Sequence, residues 1–208
     1  MKPELIGFGY FCNVYTTPDE NIVKKIIKPS IKTENIKTHD AYWYFLELLI
    51  YSPIKGNMFF PKIYDYKVEK DSDGFDRRYV LTEKLESTIN LSDRKINKIT
   101  KNTLGFTFEY DDRIDYFTKL TRYVSDYRNI KNKEFLKASS FLLNEVFPVV
   151  RDKHGRVRLD ISRQNMLYRP STETLVFVDP ITTGLRFSKE VDISKQTSKT
   201  PYSFKEKK

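Results

Sequence analysis

The stretch Arg158-Leu159-Asp160-Ile161-Ser162-Arg163-Gln164-Asn165-Met166-Leu167-Tyr168, followed by Leu175-Val176-Phe177-Val178-Asp179-Pro180, decides how this chain is read. Asp160 and Asn165 stand five positions apart, and Asp179 comes fourteen residues after Asn165, directly behind an apolar run. A carboxylate can receive a hydroxyl proton. An amide oxygen with a second carboxylate can hold Mg²⁺, which takes one or two protein carboxylates and fills its shell with water and phosphate. The apolar pieces at 157–160, 165–168 and 175–179 read as short strands or loops at close spacing. The plain alternative is a surface loop with a capping aspartate and a second aspartate at a strand end.

The chain has 208 residues, with 37 Lys and Arg against 28 Asp and Glu and a formal charge of +9. That length suits one domain, or two small lobes sharing a cleft. Aromatic residues make up 14% of the sequence, enough to fill a core without disulfides. The lone cysteine, Cys12, excludes an internal disulfide framework and a cysteine-only zinc site, and His39 and His154 add little. No apolar run reaches the ~18 residues of a membrane span, and MKPELIGFGYF lacks the pattern of an export signal. The expectation is a soluble protein of a reducing compartment, without a membrane partner. A nucleic-acid surface would cluster its Lys and Arg on one face. Here they are spread, and a composition rich in Lys, Ile, Asn and Tyr accounts for the charge more simply. Nucleic acid is therefore not the favoured partner, while an acidic partner or substrate fits the balance.

Upstream, the runs at 5–15 and 22–27 flank Thr17-Pro18-Asp19-Glu20-Asn21 and read as antiparallel strands. The spacing from 39 to 51 predicts a helix with a wide apolar face around Glu47, closed by Pro53 and Gly56. Residues 61–68 and 78–82, joined by Asp71-Ser72-Asp73-Gly74, read as a hairpin. The result is a small sheet of four or five strands with one inserted helix. Helical spacing returns at 115–128 and 132–147, the second expected to end at Pro148, with a tight turn at 152–155. Residues 188–208 are charged, rich in Ser and Thr, and read as a mobile tail.

Gly7-x-Gly9 is followed by a strand, not by a helix, and no Gly-Lys-Ser/Thr comes after it, so neither a dinucleotide loop nor a Walker loop fits. The spacing does fit the hairpin G-x-G-x-x-G-x-V, with Gly7, Gly9 and Val14 in place, Phe11 at the tip and Cys12 where the third glycine belongs. An ordinary hairpin that uses glycines for its turn is the alternative. Ten residues after Val14 stands Lys24. Strand alternation puts Ile22 and Lys24 on one face, read here as the cleft face, with Val23 and Lys25 opposite.

Together these features resemble the protein-kinase-like superfamily, and most of all the early serine/threonine protein kinases of T-seven-type podophages. The residues that carry the resemblance are the glycine hairpin, Ala41-Tyr42 followed by Phe45, Pro61-x-Ile63-Tyr64-Asp65, Asp160-x-x-x-x-Asn165-Met166 and Val178-Asp179-Pro180-Ile181. The resemblance implies a two-lobed α+β fold. Residues 1–85 would be the amino-terminal lobe, 86–187 a compact, mainly helical carboxyl lobe, and 188–208 the tail. It further implies ATP and Mg²⁺ as cofactors. Gly7, Gly9, Phe11, Val14 and Ile22 would cover the nucleotide, and Lys24 would hold the α- and β-phosphates. Glu47, or alternatively Asp40, would pair with that lysine. Residues 81–85, with Glu83 at their centre, would form a hinge for adenine. Asp160 would be the catalytic aspartate, with Asn165 and Asp179 as metal ligands. The implied activity is phosphorylation of host proteins, transcription or RNA-processing machinery among them, in the cytoplasm of an infected bacterial host.

The chain also departs from that pattern. Histidine is missing before Asp160, Ser162 stands where a lysine is usual, with Arg163 a possible substitute charge, and only 29 residues follow Asp179. Two other functions use a similar framework: a small-molecule phosphotransferase, and a kinase-shaped protein that binds and inhibits a host enzyme without catalysis.

Overall fold

The computed structural model of the chain describes residues 2–8, 12–27, 32–33, 36–37, 41–70, 74, 76–103, 132–154, 157–161 and 165–182. Gly9, Phe11, Asp40, Ser162, Arg163, the expected helix at 115–128 and the expected tail at 188–208 lie outside the described residues.

Runs of β-branched and aromatic residues build the first sheet. Strands β1 (Leu5–Phe8), β2 (Cys12–Thr16) and β3 (Ile22–Ile27) form an antiparallel meander. The turn between β2 and β3 is set by local side chains: Asp19 accepts from the Asn21 amide at 2.8 Å, and the Thr17 hydroxyl donates to the carbonyls of Asp19 and Ile22. Two short strands, β4 (Lys32–Thr33) and β5 (Ile36–Lys37), pair with each other. Helix α1 (Ala41–Tyr51) follows, and Ser52 and Pro53 end it by opening a 3-10 turn whose first amide bond is to the Ser52 hydroxyl. Strands β6 (Ile63–Lys70) and β7 (Asp76–Glu83) form the expected hairpin, with Gly74 at φ +76° in its turn. The sheet has five strands in the order β1-β2-β3-β7-β6.

The second half comprises β8 (Glu86–Ser87), helices α2 (Asp93–Thr103), α3 (Lys133–Phe141) and α4 (Phe147–His154), and strands β9 (Arg158–Leu159), β10 (Met166–Arg169), β11 (Thr174–Phe177) and β12 (Ile181–Thr182). These strands make one sheet in the order β11-β10-β8 and a separate β12-β9 pair. Asn132 caps α3 by accepting from the amides of Glu134 and Phe135. The helix expected to stop at Pro148 instead continues to His154, which also overturns the turn expected at 152–155. A π-helical turn, Leu142–Val146, joins α3 to α4, and Pro148 is only the second residue of the new segment. A proline there costs little, because the π turn has already interrupted the regular i→i−4 ladder where its N–H is missing.

The core is continuous from one half to the other. Phe60 lies edge-on to Phe45 of α1 at 5.6 Å and to Phe141 of α3 at 5.5 Å, while Phe59 meets Phe135 at 5.3 Å. Asn57 anchors this segment: its amide nitrogen donates to Glu134 and its oxygen accepts from the Phe59 amide. The Phe177 amide donates to the Phe59 carbonyl at 2.8 Å, so β11 hangs on the same segment. An antiparallel five-stranded sheet with one helix, joined to a mainly helical half carrying short hairpins, makes the two-lobed α+β arrangement.

Candidate active site

In β3, Val23 and Ile27 are buried, and Lys25 lies between them on the same face. The backbone register places Gly7, Val14, Lys25 and Val80 in one row across four strands. A Cβ on Gly7 would reach the Val14 Cβ only at 3.6 Å, an ordinary contact, so β2 alone does not require glycine there. Lys25 Nζ donates to the Tyr42 hydroxyl of α1 at 3.2 Å and lies 5.0 Å from the centre of that ring.

Lys24 faces the other way, its ammonium 4.4 Å from the centre of the Tyr79 ring, and Ile22 shares its side of the strand. The expected register is therefore off by one: Lys25, not Lys24, is the lysine on the helix side, and Ile22 goes with Lys24. Both faces of Ile22-Val23-Lys24-Lys25-Ile26-Ile27 carry two apolar residues and one lysine, so alternation alone could not choose between them.

Glu47 is not the lysine's partner. Its carboxylate pairs with Arg78 Nη1 at 2.9 Å and accepts from the Tyr66 hydroxyl at 3.5 Å, while Arg78 stacks on Trp43. Tyr42 and Glu47 are five residues apart on one helix, about 140° around its axis, so both cannot face Lys25. Burial lowers the Arg78 guanidinium from its ordinary value, with Tyr66 and Glu47 acting in the opposite direction.

Burial works against the charge of Lys25, but Tyr42, Cys12 and Asp179 outweigh that and hold the ammonium above its ordinary value. Burial pushes the Tyr42 hydroxyl up to about 12, against the pull of Lys25. At neutral pH the pair is a cation beside a neutral phenol.

Asp160 and Asp179 are brought together by their flanking strands. Leu159 of β9 pairs with Ile181 of β12, and the Asp160 amide donates to the Pro180 carbonyl at 2.8 Å. The Val178 amide donates to the Asn165 carbonyl at 3.0 Å, just where β10 and β11 begin their pairing at Met166 and Phe177. Asn165 Nδ2 donates to the Asp160 carbonyl at 3.2 Å, a bond that does not use its Oδ1. All three side chains are half-buried. No group of three or more His, Cys, Asp or Glu side chains suited to a metal occurs among the described residues. One amide oxygen and one carboxylate, on backbone fixed by these bonds, fit a Mg²⁺ that completes its shell with phosphate and water.

Glu83 has a different task from the one expected of it. Its carboxylate is buried against Arg169, and one oxygen also accepts from the Lys62 amide at 2.8 Å. In the expected hinge, the Glu83 and Lys84 amides already donate to the carbonyls of Lys62 and Asn21. Adenine would have to use what remains of 81–85. The sequence pattern gives Lys25, Tyr42 and Arg169 no role at the site.

No protein-family model matches the sequence, and no curated protein matches it. Among solved structures, the chain aligns with WbdD bound to the kinase inhibitor LY294002 at a TM-score of 0.35 and 10% identity, over 85% of this chain and 32% of that one. A second structure, of the bifunctional kinase-methyltransferase WbdD, gives 0.34 and 11%, over 83% and 30%. A thermostable mutant of the aminoglycoside phosphotransferase APH(4)-Ia gives 0.36 and 9%, over 87% and 68%. The chain thus spans about a third of the length of the WbdD chains. Likeness at this level says nothing of substrate or activity.

Proposed function

We propose that the chain is an ATP-dependent phosphotransferase, and more narrowly a serine/threonine protein kinase of the phage type that modifies host proteins. The observation that carries this reading is the bonding that gathers Asp160, Asn165 and Asp179: the Asp160 amide on the Pro180 carbonyl, the Val178 amide on the Asn165 carbonyl, and Asn165 Nδ2 on the Asp160 carbonyl. Phosphoryl transfer needs positioning and charge neutralisation more than covalent chemistry. Lys25 would neutralise α- and β-phosphate oxygens, and Val14 would present an apolar surface to the base. Asn165 and Asp179 would hold Mg²⁺, whose charge would offset that of the phosphate oxygens. Asp160 would accept the proton of the attacking hydroxyl, its backbone fixed on one side by Pro180 and on the other by Asn165.

Incubation with γ-labelled ATP, magnesium and a generic protein substrate tests this, with Asp160→Asn as the control. Label on serine or threonine, lost in the variant, is expected. Label only on a small-molecule hydroxyl would retain phosphotransfer and replace the substrate. A purified protein that neither binds Mg-ATP nor transfers phosphate would overturn the reading.

A further inference from the structure

We infer that Tyr42 is the positioning residue for Lys25, a phenol filling the place on α1 where the sequence reading looked for a carboxylate. The inference rests on the phosphotransferase reading of the same site. Three observations lead to it. Tyr42 Oη accepts the hydrogen bond of Lys25 Nζ at 3.2 Å. The Tyr42 ring is buried and tilted against Phe45 at 6.1 Å, so the hydroxyl sits on a fixed arm. The acidic candidate on this helix, Glu47, is committed to Arg78 about 140° away.

The chemistry differs from that of an ion pair. A carboxylate at this point would compete with phosphate oxygens for the ammonium charge. A phenol accepts one of the three ammonium hydrogens and brings no charge of its own. Lys25 is thereby aimed from the helix side while its full charge stays available to an anionic ligand. Its contact with the Tyr42 ring face adds a weak attraction that the hydroxyl does not supply.

Tyr42→Phe keeps the ring and its packing and removes only the acceptor, so it separates aim from support. The expected result is a retained fold with a melting temperature near neutral pH lowered by only a few degrees, and kcat/KM for ATP down about tenfold, as for loss of one hydrogen bond to a charged group. In a Lys25→Met background the same change should do nothing further, because the group it aims is gone. Binding of Mg-ADP, followed by titration calorimetry, should show the same non-additivity where turnover is too slow to measure. Equal losses from Tyr42→Phe with and without Lys25 would make Tyr42 merely structural and overturn the inference. So would wild-type kcat/KM in Tyr42→Phe when Lys25→Met is inactive. If the wild type shows neither transfer nor nucleotide binding, the phosphotransferase reading falls first, and this inference with it.

Discussion

Arg169 donates from Nε to one Glu83 oxygen at 2.9 Å and from Nη2 to the other, joining the last residue of β10 to the last residue of β7. The same guanidinium donates to the carbonyls of Met58, at 2.6 Å, and Phe60, at 3.0 Å. A single buried cation thus serves a carboxylate and two main-chain oxygens at the junction of the two halves. Removing one member of a buried pair leaves the other without its counter-charge, at a cost of about 3–5 kcal/mol. Arg169→Met should cost that much in urea unfolding, and Glu83→Gln less, since an amide oxygen still accepts. An Arg169→Met protein within about 0.5 kcal/mol of wild type would show that the junction does not depend on the pair.

Turnover should separate the two neighbouring lysines of β3. Lys25→Met is expected to lower phosphate transfer severely and to weaken nucleotide binding. Lys24→Met, which removes a side chain lying on Tyr79, should leave both near wild type. Steady-state kinetics with varied ATP decides between them. Sensitivity at Lys24 alone would mean that the strand faces are the reverse of those described.

Asp179→Asn should abolish magnesium-dependent turnover without loss of fold, because an amide is a far poorer ligand for a hard cation and several kcal/mol of transition-state stabilisation go with it. Circular dichroism and a magnesium titration of activity form the check. Normal turnover with normal magnesium dependence in this variant would remove Asp179 from the metal site.

The buried phenol of Tyr42 makes an alkaline prediction. Its hydroxyl is raised by burial to about 12, against about 10 in an unfolded chain. Between those values the unfolded state gives up the proton first, so this contribution is complete below about pH 10 and is lost as pH rises through about 12. Lys25, also held above its ordinary value, acts in the same direction. Unfolding from pH 9 to 12 should therefore show wild type losing about 1–2 kcal/mol more than Tyr42→Phe. Parallel curves would mean that the phenol ionises freely.

The parts of the site readable in the sequence are those whose spacing is fixed by short strands. Asp160, Asn165 and Asp179 could be found because β9, β10, β11 and β12 leave little freedom between them. Lys25 was missed because the two faces of β3 have the same composition, and only packing against α1 distinguishes them. Glu47 misled for the opposite reason: it was the acidic residue in an otherwise apolar helix, and sequence does not show that Arg78 would be waiting behind it. Arg169 gave no signal, since its partners Met58, Phe60 and Glu83 are 86 or more positions away. The sheet, the hairpins and α1 were legible from alternation, turn residues and the apolar spacing of 41–49. The run from α3 through α4 was cut short because a proline ordinarily stops a helix and a π turn leaves no mark in hydrophobic spacing.

That π turn acts as a phase adjuster. An uninterrupted helix from Lys133 to His154 would advance about 100° per residue, and one turn wider by a single residue rotates everything after it by about that amount. Val146 and Val150 stay on the buried side that Phe141 and Leu142 established, while Arg151 faces solvent. Deleting one residue from 142–146 would therefore do more than shorten the rod. It would swing α4 by roughly a quarter turn and redirect the chain that leaves it toward β9 and Asp160, a rotational error passed directly to the residues proposed to meet the substrate.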